Sequence, residues 1–189
     1  MQKGLVIILS GPSGVGKTTV ATSLIRDESL AIHRSISATT RSRRTGEVDG
    51  QDYDFLSPED FNKKVKSNDF LEYAEVHGNY YGTQLSRVNE RIQKGQNVIL
   101  VIDVQGAEQV RKRLPNVLSI FLRPRTMEDL AIRLKRRDTD SPEIIQGRLE
   151  EASREMDRMN EYDHVVISDQ LDESVEQIRK IIAARLKEK

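Results

Sequence analysis

Apolar residues in this chain gather into a few short runs separated by long polar stretches. Leu5 to Leu9, Val98 to Ile102 and Val165 to Ile167 are such runs, and Leu118 to Leu122 is a fourth candidate. Apolar runs of strand length, bounded by polar residues, predict strands buried on both faces of a parallel sheet. Helical spacing lies between them. Val20, Leu24 and Ile25 follow the first run, Leu130, Ile132 and Leu134 sit in a charged segment after the fourth, and Val175, Ile178, Ile182 and Leu186 mark an amphipathic C-terminal helix. This alternation predicts an α/β fold whose parallel sheet is flanked by helices on both faces.

The stretch from about Arg34 to Thr83 departs from the alternation. Ser35 to Ala38, Tyr53 to Leu56 and Leu71 to Val76 read as strands without crossover helices, apart from a short helix started by Ser57-Pro58-Glu59-Asp60. Ser141-Pro142-Glu143 is a second start signal, for a polar helix reaching about Asn160, and a charged run, Lys135 to Asp140, precedes it. The expected organisation is a core of residues 1–33, 84–136 and 160–189, a small antiparallel-rich insert at 34–83, and a segment at 137–159 that holds part of the charged run and the helix after it.

Charge and composition narrow the partners. Thirty Lys and Arg balance thirty Asp and Glu, so no bulk polyanion is expected and no nucleic-acid partner is assigned. The absence of cysteine excludes disulfides and thiol catalysis. The first apolar run is too short for a signal-peptide core or a membrane span, so a cytoplasmic location without membrane attachment is expected. Oligomeric state is left open, a homo-oligomer included.

Gly11-Pro12-Ser13-Gly14-Val15-Gly16-Lys17-Thr18, followed by Thr19, fits the phosphate-loop pattern and lies between a predicted strand and a predicted helix. Its glycines let successive N–H groups turn toward one anion, and the helix N-terminus adds partial positive charge. Lys17 would reach the β- and γ-phosphates of a nucleotide, and the Thr18 hydroxyl would ligate Mg²⁺. The loop marks a P-loop NTPase core that binds a nucleoside triphosphate with Mg²⁺, but GTPases, ATPases, kinases and transporters share that loop.

The acceptor must therefore come from elsewhere. Arg41, Arg43 and Arg44 fall within four residues, between hydroxyl side chains and a turn, and such forks suit a dianion. Tyr53 follows on a predicted strand and would donate one more hydrogen bond. Charge pattern alone leaves a basic surface hairpin open as well. His33, His77 and His164 have no metal-ligand spacing and read as structural or surface residues.

The run from Ser37 through Arg41, Arg44, Gly46, Glu47 and Gly50 to Tyr53 resembles the GMP-binding segment of guanylate kinases. So do Phe70 to Glu75, Gly78 to Thr83, and Ile102 to Ala107, in the family's order and spacing from about Leu5 to Leu171. The resemblance implies transfer of the γ-phosphate of ATP to GMP or dGMP, a step of guanine nucleotide synthesis and recycling. It implies that Arg41, Arg44, Tyr53 and Tyr81 hold the GMP phosphate and that Ser37, Glu72 and Thr83 read the guanine. Asp103, at the end of the second core strand, would lie near both the metal and GMP, and Thr18 and Asp103 are the expected metal residues. Arg137 and Arg148 would be lid arginines, catalytic together with Lys17 and Arg41.

The chemistry of the base agrees. Guanine offers two adjacent donors, N1–H and the 2-amine, and an O6 acceptor, which match a carboxylate such as Glu72 and a hydroxyl such as Ser37 or Thr83. Adenine would turn a lone pair toward that carboxylate, and unpaired buried groups discriminate strongly. Without the resemblance, Glu72 reads as a solvated strand residue. Arg43, Val101, Asp138 and Ser168 depart from the family's usual Pro, acid, Gly and Asn. Residues 101 and 103 are expected to share one strand face. Two rivals remain: a kinase acting on AMP or a pyrimidine nucleotide, and a guanylate-kinase-like binding module, which would lack the phosphate loop that this chain keeps.

Overall fold

The computed structural model describes residues 3–76, 78–135 and 141–188. His77 and the 136–140 run, with Arg137 and Asp138, lie outside the described residues. The core is one five-stranded sheet containing β1 (Val6–Ser10), β2 (Ile32–Arg34), β7 (Asn97–Val101), β8 (Leu118–Pro124) and β9 (His164–Ser168). Their order across the sheet is β2-β7-β1-β8-β9, and every pairing is parallel.

The unbroken apolar runs follow from this geometry. Successive side chains point to opposite faces of a strand, and both faces here are covered. Ile7 and Leu9 of β1 pack with Val20 and Leu24 of α1 (Lys17–Ile25) and with Ile178 and Ile182 of α7 (Leu171–Lys187). Val6 and Ile8, one residue out of phase, pack with Val88 of α3 (Leu85–Gln93) and with Val104, Ala107 and Val110 of α4 (Val104–Arg113). β2 escaped the sequence reading because it is three residues long, and its sequence Ile-His-Arg leaves one apolar side chain to show.

A second sheet holds β3 (Ser37–Thr39), β4 (Asp54–Phe55), β5 (Phe70–Val76) and β6 (Asn79–Gln84) in the order β4-β3-β6-β5. The β3–β4 pair is parallel and the other two are antiparallel. β6, which has no aliphatic residue, was not read as a strand; it is an inner strand of this sheet all the same. Under it lies α2 (Pro58–Lys66), started as expected by Ser57, whose hydroxyl accepts from the Asp60 N–H at 3.0 Å. Phe61 of α2 stacks on Phe70 with ring centroids 4.3 Å apart.

Two helices lie between β8 and β9, α5 (Met127–Lys135) and α6 (Pro142–Met156). Ser141 caps α6 as its sequence predicts, but the helix ends at Met156 rather than near Asn160, and a short 3-10 turn at Met159–Glu161 follows. Leu130 and Leu134 are buried with Ile145, whereas Ile132 of the same helix is exposed.

One buried side chain ties the N-terminus to the sheet. Asn97 Oδ1 accepts from the Leu5 N–H at 2.8 Å while its amide donates to the Leu30 carbonyl at 2.7 Å. Asn97→Ala orphans both backbone groups in a dry site, each worth about 1–3 kcal/mol. Denaturant unfolding should show a loss of about 2–4 kcal/mol with an unchanged slope.

Candidate active site

In open α/β sheets ligands gather at the carboxyl ends of the strands, and here β1 leads directly into the loop of residues 11–16. Gly11 is pressed against the neighbouring strand: a Cβ there would lie 2.0 Å from the Leu122 carbonyl oxygen. Gly16 caps α1 in a left-handed conformation (φ 108°) that only glycine takes without strain, and it brings no capping side chain of its own. The N-terminus of α1, with its partial positive charge, thus faces the loop, as an anion site requires. Pro12, Ser13, Gly14, Gly16, Lys17, Thr18 and Thr19 line a cavity of about 210 Å³ above the loop, with Gly11 and Val15 buried beneath. The Lys17 ammonium donates to the carbonyls of Gly11 and, at 3.0 Å, of Pro12.

A second cavity, also about 210 Å³, is lined in part by Ser37, Tyr53, Glu72, Tyr81 and Asp103. Glu72 reaches it through an irregularity in β5. The register between β5 and β6 shifts between Phe70 and Glu72, so that three consecutive residues are buried in three different places. Phe70 enters the α2 cluster, Leu71 the sheet core, and Glu72 stands directly opposite Thr83. Such bulges re-aim side chains beside sites. Glu72 is only 9% exposed, not a solvated strand residue, and its Oε1 accepts from the Thr83 hydroxyl at 2.6 Å. Burial is the chief cause that pushes its carboxyl up to about 7, Asp103 adds to it, and the Thr83 hydroxyl and N–H oppose it.

Arg41 does not line this cavity but lies against Tyr53, which does. Its guanidinium forks onto Glu47, with Nη2 to Oε1 at 2.7 Å and Nη1 to Oε2 at 3.0 Å, and lies 5.4 Å from the Tyr53 ring centroid. That fork, helped by the Arg44 backbone N–H, holds the Glu47 carboxyl down at about 2. Tyr53 and Tyr81 meet edge-on at 6.1 Å. The Arg44 side chain is exposed and does not line the cavity. Arg148 lies half-buried on α6.

Asp103 requires a correction. The strand ends at Val101, and Asp103 is the N-cap of α4, where its Oδ1 accepts from the Gly106 N–H at 2.7 Å. Residues 101 and 103 therefore do not share a strand face; Val101 is half-buried against the core. The capping requirement overrides the strand pattern here, because a carboxylate at this position satisfies a helix donor.

Two further residues carry no motif that exposed them in the sequence. Glu155 of α6 shares a cavity of about 200 Å³ with Asp103. Burial pushes its carboxyl up to about 7, against the Lys17 charge and the Ser13 N–H, so it joins the phosphate loop to the Asp103 side. Arg133 of α5 donates to the Val15 carbonyl at 3.1 Å, and to the Ser168 hydroxyl at 3.0 Å and carbonyl at 2.6 Å. Ser168, a departure in sequence, is engaged in this clamp and also donates to the Val15 carbonyl at 2.8 Å.

The arrangement offers an anion cradle with a lysine, a carboxylate–hydroxyl edge for a base, and an arginine beside two aromatic rings. The guanylate kinase family matches residues 3–185. A guanylate kinase of Clostridium tetani is 45% identical over 97% of this chain and 88% of its own length. One of Streptococcus agalactiae is 48% identical over 97% and 88%. Among solved structures, a guanylate kinase from Anaplasma phagocytophilum superposes with a TM-score of 0.74 at 33% identity, covering 97% of this chain and 87% of that one.

An ionised carboxylate at Glu72 would accept two hydrogen bonds from a base edge with two adjacent donors, and a protonated one would lose an acceptor. The kcat/KM for GMP should therefore rise with pH through a step near 7 that reports the free protein. Glu72→Gln should lack that step, and parallel pH profiles for the two proteins would contradict the assignment.

Proposed function

The chain belongs to the guanylate kinase family and is an ATP:GMP phosphotransferase, and from that premise we propose how its residues divide the work. The ATP phosphates lie on residues 11–19, with Lys17 neutralising the transferring group. The GMP phosphate is held by Arg41, Arg44, Tyr53 and Tyr81, and guanine is read by Ser37, Glu72 and Thr83, with Asp103 alongside. Arg148, and Arg137 from outside the described residues, close over the phosphoryl group. A monophosphate oxygen is already an anion, so alignment and charge neutralisation suffice without a side-chain general base.

A metal ion accompanies ATP in this family, and Mg²⁺ is the ion proposed here. The oxygen donors of Thr18 and Asp103 suit a hard cation, and the apolar Val101 adds none. Among the described residues no group of three or more His, Cys, Asp or Glu could hold a metal alone. The fit is thus to an ion carried mainly by phosphates and water. When bound, Mg²⁺ draws charge from the phosphate oxygens of ATP.

The single observation that carries the acceptor assignment is the buried Glu72 carboxylate opposite Thr83. Adenine or a pyrimidine would leave it facing the wrong edge. The contacts proposed go to phosphate and base and none to the ribose 2′-hydroxyl, so dGMP is accepted too. The reaction serves guanine nucleotide synthesis and recycling in the cytoplasm. No helix among the described residues is long and apolar enough to cross a membrane.

Steady-state kinetics of two variants test the division of labour. Lys17→Ala should lower kcat by on the order of a hundredfold or more, as for a lost transition-state stabiliser. Arg41→Ala should chiefly raise the KM for GMP. Wild-type turnover in the first variant, or an unchanged KM in the second, would overturn the corresponding role.

A further inference from the structure

Gly106 lies on the first turn of α4, one turn past the Asp103 cap, and is buried. A Cβ built there would lie 3.2 Å from Glu72 Oε2 and 3.4 Å from Asp103 Oδ1. The first distance is tighter than side chains ordinarily tolerate, and the second is an ordinary contact. Glu72 can give way by a few tenths of an ångström, but only by leaving its present geometry. Its other oxygen is bonded to Thr83, and its residue is 9% exposed. A residue with no side chain at 106 is what allows the carboxylate to lie against the helix.

These contacts give the carboxylate a direction. Thr83 stands at its Oε1 end and Gly106 at its Oε2 end. The guanine edge has the same order: O6, which accepts from a hydroxyl, then N1–H, then the 2-amine. Setting O6 at Thr83, whose single hydroxyl proton then turns from Oε1 to O6, leaves Oε1 to accept from N1–H and Oε2 to accept from the 2-amine. We infer that Gly106 is a specificity-determining residue: having no side chain, it lets Glu72 Oε2 lie where it receives the guanine 2-amine. The inference rests on the reading of Glu72 as the base-recognising group and adds which of its oxygens meets which donor.

The geometry separates this role from a structural one. Gly106 is helical, so alanine there should stabilise the helix by reducing backbone freedom. The same methyl pushes Oε2 aside by a few tenths of an ångström. Stability and recognition should therefore move in opposite directions, and the recognition loss should fall on substrates that carry the 2-amine. IMP has O6 and N1–H but no 2-amine, so the ratio of kcat/KM for GMP to that for IMP isolates the contact.

The test measures that ratio and the thermal midpoint for the wild type, Gly106→Ala, Glu72→Gln and Gly147→Ala. Gly147 is also helical, and a Cβ there meets nothing within 4 Å. In Gly106→Ala the GMP/IMP ratio should fall by on the order of tenfold, mainly through loss with GMP, while the midpoint is unchanged or raised. In Gly147→Ala the midpoint should rise and the ratio stay at its wild-type value. A ratio in Gly106→Ala equal to wild type, while Glu72→Gln loses the preference, would overturn the role of Gly106 and leave the Glu72 reading standing. A preference retained in Glu72→Gln would overturn both. An equal loss with GMP and IMP in Gly106→Ala would make 106 a packing position and likewise overturn the inference.

Discussion

The acceptor pocket exists because β5 docks on α4. β5 is the edge of the second sheet, and its outward backbone groups need partners. The Gln109 side chain supplies them as a strand would: its Oε1 accepts from the Tyr73 N–H at 3.2 Å and its amide donates to the Tyr73 carbonyl at 3.4 Å. Arg113 donates to the Phe70 carbonyl at 2.5 Å, and Leu71 enters the core between helix and sheet. Glu72 is carried into the same seam. A carboxylate is costly to bury, and this one is tolerated because Thr83 meets one oxygen and Gly106 leaves room for the other.

Docking also brings two chemistries to one rim. The parallel sheet delivers the phosphate loop at the end of β1 and the Asp103 cap just past the end of β7. Between them α6 places Glu155, which responds both to Lys17 and to Asp103. Arg133 binds the loop from behind, through the Val15 carbonyl, and fastens it to Ser168 at the end of β9. Elements far apart in sequence thus hold one loop and one pocket side by side. Proximity of this kind is what a phosphoryl transfer needs most, since the reacting oxygens are already charged.

Local rules reached some of this and not the rest. The phosphate loop, the Ser57 and Ser141 caps and the four longer core strands were legible because each depends on neighbouring residues or on burial of both faces. β2 and β6 were not: a three-residue strand shows no period, and β6 (Asn-Tyr-Tyr-Gly-Thr-Gln) has no aliphatic residue, its Tyr80 serving the α2 cluster while Tyr81 and Gly82 line the pocket. The burial of Glu72 was invisible for a related reason, since it depends on a bulge and on a helix that lies over thirty residues further along the chain. Asp103 was placed one element too early because a capping aspartate and a strand-end aspartate look alike until the helix is seen. Arg133 and Glu155 sit within charged helices, where nothing local separates a clamp or a buried carboxylate from a solvated face.

The central claim is that the buried edge of Glu72 selects the acceptor base. Equilibrium binding of GMP and of AMP, measured by calorimetry without ATP on the wild type and on Glu72→Gln, addresses it most directly. The account predicts that the wild type binds GMP more tightly than AMP by on the order of a hundredfold or more. The gap should largely close in the variant, with the phosphate contribution common to both ligands retained. Equal affinities in the wild type, or a gap that survives the substitution, would contradict it.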